Sequence, residues 1–144
     1  MAETIASSHT VVVDESVTPN ALRFSDIFNV AVPFIDRHVS EGHGSHVALR
    51  YDGNEVTYAQ LGENVSRAGN ALLKLGLIPG DRLVMAAFDE PMFFYVFWGA
   101  IKAGIIPIAA STFLKAAEYR FLIADAQCAG FIYSSALAAE VTDI

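Results

Sequence analysis

Three short apolar runs decide the fold: Arg82-Leu83-Val84-Met85-Ala86-Ala87-Phe88, Ile105-Ile106-Pro107-Ile108-Ala109 and Gly130-Phe131-Ile132-Tyr133. Each has a strand's length, and the first is nearly continuous in its apolar character, as in a strand covered on both faces. Between the first two, Pro91 to Ile101 is apolar and leads to Gly104. Asp89 is placed to cap this segment as a helix, with Pro91 in its first turn, where a missing N–H costs little. Between the last two runs, Ser111-Thr112 opens a loop into a helix over 116–126. Ser134 or Ser135 is placed to cap a further helix. Residues 82–135 therefore read β-α-β-α-β, which predicts a parallel sheet with crossover helices. Pro107 is awkward for a central strand, because it cannot donate to the ladder.

Upstream, His46 to Tyr51 reads as a strand, Asp52-Gly53-Asn54 as a turn and Glu55-Val56-Thr57 as the return strand, a β-hairpin signal. Thr57-Tyr58-Ala59-Gln60 has capping-box spacing and predicts a helix from Tyr58 to about Leu75. Leu61, Val65, Ala68, Leu72 and Leu75 form its apolar stripe. Glu63, Asn64, Arg67, Asn70 and Lys74 take its outer face, and Gly76 ends it. Pro79-Gly80-Asp81 is then a turn. Phe28 to Val39 reads as an earlier helix, capped by Asn29 with Pro33 in its first turn, followed by a loop over 41–45. Residues 1–25 read as an N-terminal arm, with Val11-Val12-Val13 as a short strand-like run.

The chain has 144 residues, 16 acidic and 9 basic, for a formal charge of −7. Its hydrophobic fraction of 53% supplies enough apolar area to exclude disorder over most of its length. A single cysteine, Cys128, excludes a disulfide scaffold within the chain. The acidic balance argues against nucleic acid as a partner. The segment Met1 to Asn20 lacks a basic and an apolar region and is not a signal peptide. Pro91 to Ile101 is about half the ~20 residues a membrane helix needs. No membrane partner is expected, and the expected compartment is the cytoplasm. Asn64-Val65-Ser66 matches a glycosylation acceptor, but it falls within a helix of a chain read as non-secreted.

The helices available cover one side of a three-strand sheet well, not two. The segment Phe93-Phe94-Tyr95-Val96-Phe97-Trp98 is apolar around its whole circumference, which calls for packing partners on all sides. The chain also stops within a helix. Residues 26–144 are therefore expected to be part of a larger domain, incomplete at the C-terminus.

No motif here suffices for catalysis. There is no GxxxxGK[ST] loop, no GxGxxG after a strand and no GxSxG elbow. A complete oxidoreductase or kinase domain would need such a glycine motif. Asp81, Asp89 and Glu90 lie near strand ends, where turn and cap duty explains them best. His43 and His46 form HxxH beside Glu41 with His38 upstream, but two glycines interrupt the segment, so no metal site is expected. Cys128 reads as an inert thiol. The aromatic stretch 93–98 reads as core. Lys115 follows a strand, opens a helix and could meet an anionic ligand.

Val56-Thr57-Tyr58-Ala59-Gln60-Leu61 resembles the (L/V)(T/S)Y..L opening motif of the adenylate-forming enzymes, which include the acyl- and aryl-CoA ligases, peptide-synthetase adenylation domains and luciferases. Gly76 to Val84 resembles their G...GDRV step, and Phe97 to Ile108 their..GA.KAG...VP segment. The three occur in the family's order and spacing, and the likeness covers about residues 27–137. Phe28-Asn29 and the run from Ala103 to Leu122 look most like benzoate-type aryl-CoA ligases. Ser111 departs from them, since Asn is more usual there.

The resemblance implies the N-terminal part of an adenylate-forming enzyme's large α/β domain. It implies ATP, Mg²⁺ and coenzyme A for the whole enzyme, none bound by this chain alone, and a small aromatic carboxylate as substrate. The acid would become an acyl-adenylate and then a thioester, a reaction of aromatic-acid degradation. The phosphate loop, ribose-binding aspartate and catalytic lysine of the family lie beyond Ile144, so this stretch has no catalytic residue and should be inactive alone. Its partner would be the remainder of the same ligase. The loop from Thr112 to Lys115 would lie near the coenzyme A side, with Lys115 the one cofactor-binding candidate. A different class remains open: a non-catalytic α/β binding or regulatory subunit that docks on a partner through its open sheet.

Overall fold

The computed structural model describes residues 8–142 and Ile144. Residues 1–7, the first part of the expected arm, lie outside the described residues. In chain order the elements are β1 (Val11–Asp14), β2 (Ala21–Phe24), a π-helical turn (Val32–Asp36) running into α1 (Arg37–Ser40), β3 (Val47–Tyr51), β4 (Asn54–Thr57) and α2 (Tyr58–Lys74). There follow β5 (Arg82–Ala86), α3 (Pro91–Lys102), β6 (Ile106–Ala109), α4 (Ala116–Asp125), β7 (Gly130–Tyr133), a 3-10 turn (Ser135–Leu137) and α5 (Ala138–Val141). The class is α/β: a hairpin and helix, then a β-α-β-α-β unit with three parallel strands in the order β6-β5-β7.

That order explains two features. Pro107 sits in β6, an edge strand, where a missing donor is tolerated. The chain steps from β5 to β6 in one direction, then back past β5 to β7. Crossovers of one hand that step in opposite directions lay their helices on opposite faces. Leu83 and Met85 of β5 accordingly pack with Phe93, Val96 and Phe97 of α3. Ala86 packs with Tyr119 of α4 and with Leu137 and Val141. Leu83 to Ala86 are all buried. The expectation of helical cover on one side only is therefore corrected at β5, because the reversed step brings α4 and α5 to the second face.

The apolar circumference of α3 has its reason in this chain as well. Phe93, Val96 and Phe97 face the sheet cluster, whereas Phe94, Tyr95 and Trp98 join Ile35, Leu61, Val65 and the β3–β4 hairpin. Helix α3 is thus sandwiched between the sheet and α2. The two helices approach so closely that a Cβ on Gly99 would lie 2.7 Å from the Gly69 nitrogen and 2.7 Å from the Val65 carbonyl oxygen.

Helix α2 carries the expected capping box. Thr57 Oγ1 accepts from the Gln60 N–H at 3.3 Å, and Gln60 Oε1 accepts from the Thr57 N–H at 2.9 Å. The preceding turn is the two-residue pair Asp52-Gly53, both at positive φ (47° and 74°), as a type I′ hairpin turn demands. The stripe needs correction at its end. Leu61, Val65 and Leu72 are buried, but Leu75 is 77% exposed. Gly76 at φ 98° turns the chain, the Leu77 N–H bonds the Leu72 carbonyl at 3.2 Å, and the Gly76 N–H bonds Leu73 at 3.1 Å. In this Schellman closure Leu77 replaces Leu75 in the core.

The earlier helix also differs from expectation. Regular helix begins near Val32 and is π-wound at first, where Pro33 supplies no donor. Asn29 accepts from the Ala31 N–H at 3.0 Å, and its amide also reaches across to the Ile101 carbonyl at the end of α3, 2.8 Å away. Lys102 binds Asp36 at 2.6 Å beside it. The segment expected as an arm contains the strand at Val11–Asp14, but also its antiparallel partner Ala21–Phe24. His9 Nδ1 accepts from the Asn29 N–H at 2.8 Å and ties this hairpin to the body.

Candidate functional site

Strands β5 and β6 are neighbours, but their chains leave toward opposite faces of the sheet. Diverging exits of this kind open a crevice beyond the carboxyl ends of the strands, where open α/β sheets bind ligands. The crevice is present here, at about 330 Å³. One wall is Ala87, Phe88 and Asp89 with Phe93, and the other is Ala109 to Thr112.

Both walls are pinned from outside. The Phe88 N–H donates to Ser134 Oγ at 3.1 Å, across from the end of β7. The Ala110 N–H donates to the Met85 carbonyl at 2.8 Å. The Tyr119 hydroxyl, from fully buried Tyr119, donates to the Ser111 carbonyl at 2.8 Å. Burial, chiefly, pushes the Tyr119 pKa above its ordinary value, and Glu140 adds to the effect. The hydroxyl therefore stays protonated, and a donor, at any ordinary pH.

The lining offers two hydroxyls, Ser111 and Thr112, one carboxylate, Asp89, and an apolar remainder. It contains no His, Cys, Lys or Arg. A site of this composition can bind and orient a ligand. It holds no nucleophile–base pair of the sort that covalent catalysis requires.

The residues singled out from the sequence are scattered. Asp89 does line the cleft, but the N-cap of α3 is Glu90, with no side-chain cap bond, so the capping role expected of Asp89 is not seen. The Phe93 N–H instead bonds the Glu90 carbonyl at 2.9 Å. Asp81 lies at the opposite end of β5, where its carboxylate accepts from the Ile78 N–H at 2.8 Å in the turn. Ser134 makes no cap bond to its own helix, because its hydroxyl is taken by Phe88. Lys115 stands at the N-cap of α4, three residues past the lining, with Nζ 3.0 Å from Glu140. Glu118 reaches back to the Lys115 N–H at 2.8 Å.

His43 and His46 stack at 5.1 Å, and His38 stacks on Tyr58 at 4.0 Å. Among the described residues no group of three or more His, Cys, Asp or Glu is arranged to hold a metal ion. Cys128 is a half-buried free thiol just after α4. No described helix is long and apolar enough to cross a membrane. Tyr119, Ser134 and Phe88 had no sequence signal for their roles, since each acts through a contact between elements distant in the chain.

Residues 36–144 match the AMP-binding enzyme family, and the chain belongs to it. The resemblance drawn from the three motifs thus stands, and so does the fold it implied. Among its relatives is the 4-hydroxybenzoate–CoA/benzoate–CoA ligase of Rhodopseudomonas palustris, 38% identical over 100 residues, which are 69% of this chain and 19% of that protein. The acetyl-coenzyme A synthetase of Streptomyces coelicolor is 43% identical over 88 residues, covering 57% of this chain and 14% of that one. The crystal structure of a benzoate CoA ligase from Burkholderia xenovorans superposes with a TM-score of 0.75 at 30% identity, covering 81% of this chain and 23% of that one. The chain spans about one fifth of the length of the curated benzoate ligases it matches.

Proposed function

We propose that this chain is the opening part of an AMP-forming carboxylate–CoA ligase that activates benzoate or a related aromatic acid. The observation that carries the reading is the cleft between β5 and β6, built on a sheet that superposes on a benzoate CoA ligase over 81% of the chain. In the first step a carboxylate oxygen attacks the α-phosphorus of ATP and pyrophosphate leaves. In the second the sulfur of coenzyme A attacks the acyl carbon and AMP leaves. Mg²⁺, when bound to the whole enzyme, would supply neutralisation of phosphate charge. Residues 26–144 are the start of a larger domain and residues 1–25 an arm outside it. The chain alone supplies scaffold and the two walls of the cleft. Its working place is the cytoplasm, with the rest of the ligase as its partner.

The assay is thioester formation by the protein that carries this chain, with benzoate and acetate as competing acids. Benzoate should be preferred by at least about tenfold in kcat/KM, the scale on which an apolar pocket discriminates. Preference for acetate would overturn the aromatic assignment. Residues 1–144 alone should release no pyrophosphate above background with ATP and benzoate, and release would overturn the scaffold role.

Within this reading Ser111, Thr112 and Lys115 lie on the coenzyme A side. Lys115 meets a phosphate by exchanging its exposed pair with Glu140. An exposed pair contributes little, so Lys115→Ala should raise the KM for coenzyme A by only about threefold and leave those for ATP and acid unchanged. Steady-state kinetics with each substrate varied in turn would show it.

A further inference from the structure

A buried phenol needs a reason that a buried phenyl ring does not. The Tyr119 ring fills the second face of the sheet beside Ala86 and Phe131, with ring centroids 5.6 Å apart. Phenylalanine would fill the same space without the cost of burying a hydroxyl. That hydroxyl is spent on the carbonyl of Ser111 in the cleft wall. The same carbonyl accepts the Leu114 N–H at 3.4 Å, and Ser111 Oγ accepts the Phe113 N–H at 3.2 Å, so the turn is organised around Ser111. Phe113 at its tip is 89% exposed and anchors nothing. The placement of the wall therefore falls to Tyr119, to the Ala110 amide and to Leu114.

We propose that Tyr119 is a positioning residue that holds the Ser111–Thr112 wall in place for coenzyme A. The inference rests on the ligase reading above. Tyr119 itself touches no substrate. It sets where the Ser111 and Thr112 hydroxyls stand relative to Phe88 and Asp89 across the cleft.

The test is Tyr119→Phe in the full-length protein. The KM for coenzyme A should rise about fivefold, the loss of one hydrogen bond's worth of placement. ATP–pyrophosphate exchange, which reads only the first step, should stay within about twofold. Hydrogen exchange at the Phe113 and Leu114 amides should quicken by about tenfold while Val84 and Met85 stay protected. Phe131→Leu loosens the ring's packing but keeps the hydroxyl. It should lower the melting temperature and leave the KM for coenzyme A unchanged.

An equal loss in both half-reactions, an unchanged KM, unchanged loop exchange, or the same KM shift in Phe131→Leu would each overturn the positioning role. A wild-type protein that forms no thioester would instead overturn the ligase reading. Loop exchange in Tyr119→Phe would then still decide whether the hydroxyl holds the wall.

Discussion

Leu72→Ala should lower the free energy of unfolding by about 2–5 kcal/mol, the range for truncating a well-packed core leucine. Leu72 is 3% exposed and packs with Leu77, Leu83, Met85, Ala100 and Ile105. It joins α2, the closing turn after it and the sheet. Its carbonyl also receives the Leu77 N–H, so the side chain and backbone of one residue seal the helix end. Removing the isobutyl group leaves a void that sheet and helix can close only by moving together. Leu75→Ala is the matched comparison. It changes the same residue type three positions on, at 77% exposure, and should shift stability by no more than about 0.5 kcal/mol. Urea unfolding of the two variants reads the contrast, and equal effects would mean the turn after α2 does not close as described.

Gly99→Ala is the second large effect, and its sign is set by a competition. In an isolated helix the change gains up to about 1 kcal/mol of propensity. Here the new methyl would lie 2.7 Å from the Gly69 nitrogen, 2.7 Å from the Val65 carbonyl oxygen and 2.9 Å from the Ala68 Cβ. Two of those three atoms are backbone, and no rotamer change moves them aside. Overpacking of this kind costs about 1–3 kcal/mol and occasionally more. The net expectation is a loss of about 1–2 kcal/mol, with a fall in melting temperature. Gly69→Ala should behave alike, since its Cβ would meet the Gly99 carbonyl oxygen at 2.7 Å. A rise in melting temperature in either variant would show that α2 and α3 can part cheaply.

What could be read from the sequence was whatever depends on neighbours within about one turn or one strand. The Thr57-Gln60 capping box, the Gly76 stop and the three apolar strands stand as anticipated, and the turn expected over Asp52-Gly53-Asn54 tightens to Asp52-Gly53, with Asn54 already in β4. Each is a local choice made by side-chain hydrogen bonding, allowed φ or apolar spacing. Errors fell where a distant partner competed. Ser134 has the residue type of a cap, yet its hydroxyl goes to Phe88, 46 residues away. Leu75 fits the helical period, but the chain turns before the core can receive it.

The candidate site shows the same division. Asp89, Ser111 and Thr112 could be noticed individually at strand ends. That they line one crevice follows from the strand order β6-β5-β7, because only the reversal past β5 sends the two exits to opposite faces. The three parallel strands, the β3–β4 hairpin, the capped helix α2 and its glycine stop are legible in the sequence, since local hydrogen bonding and apolar periodicity fix them, whereas the start of the first helix and the strand Ala21–Phe24 are not. The cleft, the pinning of its walls by Tyr119 and Ser134, and the glycine contact between α2 and α3 were decided by the tertiary structure. These rest on contacts between residues far apart in the chain, which no local pattern encodes.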